Sequence, residues 1–262
     1  MRISIITAAY NSAATLRDTM DSVLRQGYTD YEYIVVDGAS KDGTVEIIRE
    51  YEPRFEGRMR WVSEPDGGIY DAMNKGVAMA TGDVVGLLNS DDFYASDDIL
   101  STIAEEFSRS DAPDAIYGDV HYVDENDITK VVRYYSSQQF ARERMLAGYI
   151  PAHPSFYVRR ECYEKYGAFD TSYRVAADFE NLLRFIYINK ISIRYVPKDF
   201  VAMRMGGASS SGLSSYRRII SDHFRAYRKN DVTPRYLLYF WRYVKKLFEF
   251  SRKNRAKVAV DN

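Results

Sequence analysis

Gly82-Asp83-Val84-Val85-Gly86-Leu87-Leu88-Asn89-Ser90-Asp91-Asp92 decides the fold class. Its centre is apolar on successive residues rather than alternate ones, as expected for a strand covered on both faces. The strand then ends on two adjacent carboxylates. In open parallel sheets, ligands bind beyond the carboxyl ends of the strands, so the residues just past each strand are the informative ones.

On the N-terminal side of this stretch, further strands are expected at Arg2–Ala9, Tyr33–Val36 and Met59–Val62. Helical patterns lie between and after them, at Ala13–Arg25, Thr44–Tyr51, Gly68–Ala80 and Asp97–Phe107. Strand and helix alternating in this rhythm mark βαβ units and a mostly parallel sheet flanked by helices. Each strand end delivers polar residues to one rim: Thr7 to Asn11, Asp37 to Thr44, Glu64 to Gly68, and Asn89 to Asp92. From Ala115 the pattern changes. Ile116–Tyr122 and Ile128–Tyr135 flank a hairpin turn at Asp124-Glu125-Asn126-Asp127, followed by a helix at Asp178–Asn189 and a strand at Ile191–Val196. A small-residue loop, Gly206 to Gly212, precedes a helical, aromatic and basic tail. The expected organisation is a catalytic domain over 1–215, with a nucleotide half at 1–95 and an acceptor half at 96–215. A tail over 216–262 completes the chain.

Composition narrows the function. The 262 residues hold one cysteine, Cys162, which excludes a disulfide framework and a thiolate metal cluster. No uncharged apolar run reaches the roughly 18 residues a membrane span requires. The first residues read as a strand rather than a secretion signal, so a cytoplasmic protein is expected. Residues 216–262 carry thirteen Lys/Arg and four Asp/Glu, a net of +9, while the other 215 residues carry 23 and 33, a net of −10. A basic tail of this kind suits an anionic surface. Over Arg235–Lys253 the charged residues share one helical stripe and the aromatic and aliphatic residues occupy the rest, the composition of an interfacial helix. The segment 234–262 is therefore a candidate peripheral membrane contact, with packing on its own domain or on a second copy of the chain as the bland alternative. Nucleic acid is disfavoured, because no binding motif is present and the remaining chain is acidic.

Asp91-Asp92 carries the chemistry. Two carboxylates side by side repel unless a cation or donor lies between them. Hard oxygen ligands suit Mg2+ or Mn2+, held together with substrate phosphate oxygens. The bland reading is a solvated turn or a helix cap before Ser96-Asp97-Asp98.

These stretches together resemble the family 2 glycosyltransferases of GT-A fold, many of which build bacterial surface polysaccharides. The resemblance rests on Ser4 to Asn11, Val35 to Thr44, Asp66 to Gly76, Gly82 to Asp92, and then Ala176-Ala177-Asp178-Phe179-Glu180 with Leu182-Leu183-Arg184. It implies an inverting transfer from a nucleoside-diphosphate sugar to a hydroxyl of a glycan or lipid-linked acceptor, in cell-surface polysaccharide biosynthesis. Thr7, Tyr10 and Asp37 would contact base and ribose. Asp91 would face ribose or metal, Asp92 would be the main metal ligand, and Asp178 would be the general base. Ser40, Asn74 and Lys75 join the nucleotide-sugar set, Lys75 by pairing with a diphosphate oxygen. His153 is a candidate contact for the acceptor or the phosphates. The chain departs from the commonest pattern at Asn89, where the first Asp of Asp-x-Asp is usual, and at Asp37-Gly38, where Asp-Asp is usual. Residue by residue, Asp178 also reads as a helix cap and Lys75 as a solvated lysine.

A sugar-phosphate nucleotidyltransferase would want a glycine-rich basic loop after the first strand, where this chain has Thr7-Ala8-Ala9-Tyr10-Asn11. A non-catalytic nucleotide-sugar-binding protein would not need Asp91, Asp92 and Asp178 together. A hydrolase would need a Gly-x-Ser-x-Gly elbow or a His-Glu-x-x-His site, and neither occurs.

Overall fold

The computed structural model describes residues 1–206 and 212–242. In chain order the elements are β1 (Ile3–Ala9), α1 (Leu16–Leu24), β2 (Tyr31–Asp37), α2 (Thr44–Tyr51), β3 (Met59–Ser63), α3 (Ile69–Met79), β4 (Val84–Leu87), β5 (Phe93–Tyr94) and α4 (Ile99–Ser108). There follow β6 (Ala115–Val123), β7 (Val131–Tyr135), β8 (Phe156–Arg159), α5 (Arg160–Tyr166), α6 (Ala177–Leu182), β9 (Ile193–Arg204) and α7 (Gly212–Lys229). The sheet order is β3-β2-β1-β4-β8-β6-β9-β5, with β7 added beside β6.

β3, β2, β1 and β4 run parallel, the expected βαβ core. Along β1 and β2 every residue is buried, because side chains of alternate parity enter two different cores. Ile3, Ile5, Tyr33, Val35 and Val84 meet α1, α2 and α4 on one face. Ile6, Ala8, Ile34, Val36 and Val85 meet α3, α5 and α6 on the other. At roughly 25 cal/mol per Å2 of apolar surface removed from water, these two faces supply the main driving force for the layered fold. Past β4 the sheet becomes mixed: β8 is antiparallel to β4 and β6, whereas β9 is parallel to β6.

Gly86 belongs to this junction. A Cβ there would lie 2.0 Å from the Tyr157 ring, so glycine lets the tyrosine lie across its partner strand. The Tyr157 and Tyr94 hydroxyls then meet at 2.6 Å in the core.

Four features differ from expectation. The strand beginning at Ile193 runs on to Arg204 through Pro197, which cannot donate a ladder bond. The sheet absorbs it with a register shift opposite Tyr117–Asp119. β8 and α5, absent from the sequence reading, are four and seven residues long, too short to give a clear period. The helix expected over 178–189 is α6 continued by a π-helical turn, Leu183–Ile188. The expected division at 215/216 passes through α7, whose Ala226 and Tyr227, with Tyr239 beyond them, belong to the same core as α3 and α6. Residues 207–211 of the small-residue loop and 243–262 of the basic tail lie outside the described residues.

Candidate active site

The parallel strands end on one rim, and side chains stitch its segments together. Asn11 (φ 48°) after β1 and Ala39 (φ 59°) after β2 take left-handed conformations that side chains seldom adopt. The Asn11 N–H donates to Ser40 Oγ at 2.7 Å, and the Lys41 N–H donates to Asn11 Oδ1 at 3.0 Å. Ser12 Oγ lies 2.8 Å from Ser90 Oγ, and Thr15 Oγ1 donates to the Ser90 carbonyl at 2.8 Å. The loop after β1 therefore holds the loops after β2 and β4. A rim fixed in this way can hold a ligand without ordering itself first.

On the nucleotide side the polar residues divide into holders and presenters. Asp37 is fully buried; it accepts from the Ser40 hydroxyl, the Ser40 N–H at 3.0 Å and the Ser63 hydroxyl at 2.6 Å. Thr7 is also fully buried, its hydroxyl donating to the Leu88 carbonyl at 2.7 Å and accepting from Tyr33 at 3.0 Å. Its side chain thus joins β1 to the end of β4. Tyr10, in contrast, is 67% exposed. A Cβ at Gly38 would meet Asp66 Oδ2 at 2.6 Å and the Tyr10 ring at 3.2 Å. Glycine is required there because Tyr10 and Asp66 close over the same strand end.

Asp91 and Asp92 occupy different environments. Asp92 is 2% exposed. Its Oδ2 accepts from Asn89 Nδ2 at 2.8 Å, and its Oδ1 accepts from the Arg204 N–H at 3.3 Å. Burial, and then the neighbouring Asp91 charge, push its carboxyl well above the usual range, against the Asn89 and Arg204 bonds. Asp91 is the half-buried member, raised by burial and held down by Arg204. Arg204 also donates from Nε to the Asp91 carbonyl at 3.0 Å and pairs with Asp18. Asp92, expected as the main metal ligand, is thus buried with both oxygens engaged, and Asp91 is the more exposed of the two carboxylates. Among the described residues no third Asp, Glu, His or Cys completes a metal-binding group with them.

The second half of the site grows from the start of α6. Ala176 takes the cap position without a side-chain cap, so Asp178 lies one residue inside the helix. Its Oδ1 accepts from the Phe179 N–H at 2.8 Å. Burial raises the Asp178 carboxyl, with His153 and that N–H opposing, and burial lowers the His153 imidazole. His153 opens the short turn His153–Ser155, which lies against β4, β6 and β9. Its ring meets the edge of Phe169 at 5.8 Å. Tyr70, in the first turn of α3, donates to the Val175 carbonyl and is raised by burial and by the Asp178 charge. The rim beyond β3 and the carboxylate of α6 therefore meet through one tyrosine.

Asn74 and Lys75 do not join this cluster. Asn74 clamps Phe169, donating to its carbonyl and accepting from its N–H, both at 2.8 Å. Lys75 Nζ pairs with Glu64 at 2.8 Å and donates to the Pro65 carbonyl at 3.1 Å. Sequence reasoning passed over Tyr70, Asp66 and Arg204 as actors. Arg204 lay past the expected strand end, so only the apolar run Phe200 to Met203 after Pro197 could have flagged it.

Residues 4–167 match the model of the family described as Glycosyl transferase family 2. A "PGL/p-HBAD biosynthesis glycosyltransferase" of Mycobacterium tuberculosis is 32% identical over 193 residues, covering 74% of this chain and 73% of the relative. S. aureus TarS 1-349 in complex with UDP-GlcNAc superposes with a TM-score of 0.70 at 19% identity, over 88% of this chain and 68% of that one. This chain spans 43% of the longer TarS structure. The mannosyltransferase PcManGT of Pyrobaculum calidifontis, in complex with GDP-Man and Mn2+, superposes with a TM-score of 0.63 at 21% identity, over 87% and 63% of the two chains.

Proposed function

Because this chain belongs to glycosyl transferase family 2 and is a glycosyltransferase of GT-A fold, we propose that it works as an inverting, metal-dependent enzyme. The donor is a nucleoside-diphosphate sugar, and the acceptor is a hydroxyl of a glycan or lipid-linked sugar in cell-surface polysaccharide biosynthesis. The observation that carries this reading is the adjacent carboxylate pair Asp91-Asp92 at the end of β4, with Asp178 in the first turn of α6 near enough to Tyr70 for its charge to act on that hydroxyl.

The residues fit a divalent cation. Burial raises both Asp91 and Asp92, and the Arg204 charge beside them offsets this only in part, so the pair is short of positive charge. Asp91, backed by Asp92, would hold Mg2+ or Mn2+, leaving other positions to water and diphosphate oxygens as is usual for hard cations. When bound, such an ion supplies charge neutralisation on the departing nucleoside diphosphate.

The chain's own groups do the rest. Exposed Tyr10 offers a stacking face for the base, with Asp66 beside it for ribose hydroxyls. Asp37 and Ser40 hold the loop that shapes this end. Asp178 keeps Oδ1 on the Phe179 N–H, so Oδ2 is the atom that takes the acceptor proton. The acceptor oxygen bonds to the anomeric carbon as the bond to diphosphate breaks on the opposite face, which inverts the centre. A base raised by burial is nearer the working pH and so a better proton acceptor.

Thermal-shift titration with UDP, GDP and dTDP, each with and without Mn2+, tests the donor half. Stabilisation follows RT ln(1+[L]/Kd), so one nucleotide should raise Tm and do so more with metal. No shift with any of them, with or without metal, would sink the reading.

A further inference from the structure

The helical residues 236–242 turn one side chain in and most of the others out. Tyr239 is fully buried, its ring 4.9 Å from Phe224 and 5.9 Å from His223. Leu237 is 89% exposed, Trp241 54%, Phe240 51% and Leu238 49%. Such a run of large apolar side chains on a folded surface marks an interaction site. The helix cannot relieve this exposure by rolling, because Tyr239 seats it.

Charge indicates what covers the face. The Arg242 guanidinium lies over the Tyr149 ring at 5.1 Å, and Arg144 over the same ring at 4.7 Å. The chain that continues from this helix, 243–262, holds six Lys/Arg against two Asp/Glu. In sequence, the chain's most basic stretch thus adjoins the exposed aromatic residues, while residues 1–215 carry a net of −10. Trp, Phe and Leu beside Lys and Arg are what a headgroup boundary takes up: rings enter the acyl edge and cations meet the headgroups. A second copy meeting this face about a two-fold axis would bring Arg235 and Arg242 toward their own counterparts, and like charges repel.

We infer that the face formed by Leu237, Leu238, Phe240 and Trp241, flanked by Arg235 and Arg242, docks on an anionic lipid surface. Docking is by partial burial, since among the described residues no helix is long and apolar enough to cross a membrane. Each basic group brought to such a surface strengthens binding by about fivefold, and salt removes that gain.

The chain has two tryptophans, Trp61 and Trp241, so the full-length Trp61→Phe protein carries one reporter, at the face itself. Its emission is followed with vesicles of phosphatidylcholine alone and of phosphatidylcholine with phosphatidylglycerol, at low and high salt. The expected result is a blue shift, and quenching by brominated acyl chains, with the anionic vesicles at low salt, reversed as salt rises. Leu237→Glu combined with Phe240→Glu, both exposed positions, should lower the vesicle-bound fraction by about tenfold or more. Its nucleotide thermal shift should be unchanged. Unchanged Trp241 emission with anionic vesicles at low salt overturns the inference. So does a dimer that the double variant separates, because the face is then a subunit interface. Nucleotide binding is read without lipid, so failure of the glycosyltransferase reading and failure of docking give different results.

Discussion

The main-chain N–H of Arg204, at the end of β9, donates to Asp92 Oδ1 at 3.3 Å, joining the last strand of the sheet to the carboxylate pair after β4. The same arginine holds the Asp91 carbonyl through Nε. The two adjacent aspartates therefore have different roles, Asp92 fixing the architecture and Asp91 being oriented by it.

This separation predicts unlike variants. Asp91→Asn should fold normally and lose about 10²-fold or more in metal-dependent turnover, the scale for removing one electrostatic contact at a developing charge. Asp92→Ala should lose stability, by about 1–3 kcal/mol for the donors of Asn89 and Arg204 left unpaired. Urea unfolding beside a turnover assay separates the two. Equal turnover by Asp91→Asn and the parent chain would remove Asp91 from the metal site.

Asp178→Asn should bind nucleotide as the parent does and lose about 10²–10⁴-fold in kcat, because an amide cannot accept the acceptor proton. In the parent, burial raises the Asp178 carboxyl, so its base form appears as pH rises through a value above the ordinary ~3.9. The acid limb of the kcat profile should therefore lie above the ordinary carboxylate range. A variant that transfers at the parent rate would leave Asp178 only its bond to Phe179.

Legibility from residue types differs from position to position. The helix Thr44–Tyr51 agrees with its expected bounds, because Gly43, at φ 96°, opens it and Pro53 lies just beyond it. The parallel strands were legible because their apolar runs are unbroken. Thr7, Asn74 and Lys75 sit in the motif stretches, yet each is engaged by a carbonyl or a carboxylate more than five residues away in the chain. Residue type signals that a polar group needs a partner, and it does not say which partner. The same ambiguity hid the division between Asp91 and Asp92, since burial is decided by β9 arriving from 112 residues away.

Gly86→Ala tests the junction of the parallel and mixed halves. Its new methyl would sit 2.0 Å from the Tyr157 ring, and the tyrosine is tied to Tyr94. Overpacking of this kind costs about 1–3 kcal/mol, expected as a lower urea midpoint with an unchanged m-value. A midpoint equal to the parent's would mean that the ring has room to move, contrary to the packing.

His223 links the helical residues 236–242 to α6. Its imidazole is 5% exposed and stacks on Phe179, the neighbour of Asp178, at 3.8 Å and 13°. Its Nδ1 lies 3.1 Å from the Tyr239 hydroxyl. Burial, and then the Arg242 charge, lower the imidazole from 6.5 to about 3. Folded His223 therefore stays neutral down to about pH 3, whereas the unfolded chain's histidine takes up a proton near pH 6.5. Between those values the unfolded state binds one proton more, so stability is fully present above the upper value and is lost as pH falls. One such group contributes a slope of up to about 1.4 kcal/mol per pH unit. His223→Asn should be less stable at pH 7.5, having lost the stack on Phe179, yet its stability should fall less steeply from pH 6.5 downward. Urea unfolding at half-unit pH steps measures both slopes. Parallel curves for parent and variant would mean that His223 is already protonated in the folded chain, which its packing between Phe179 and Tyr239 argues against.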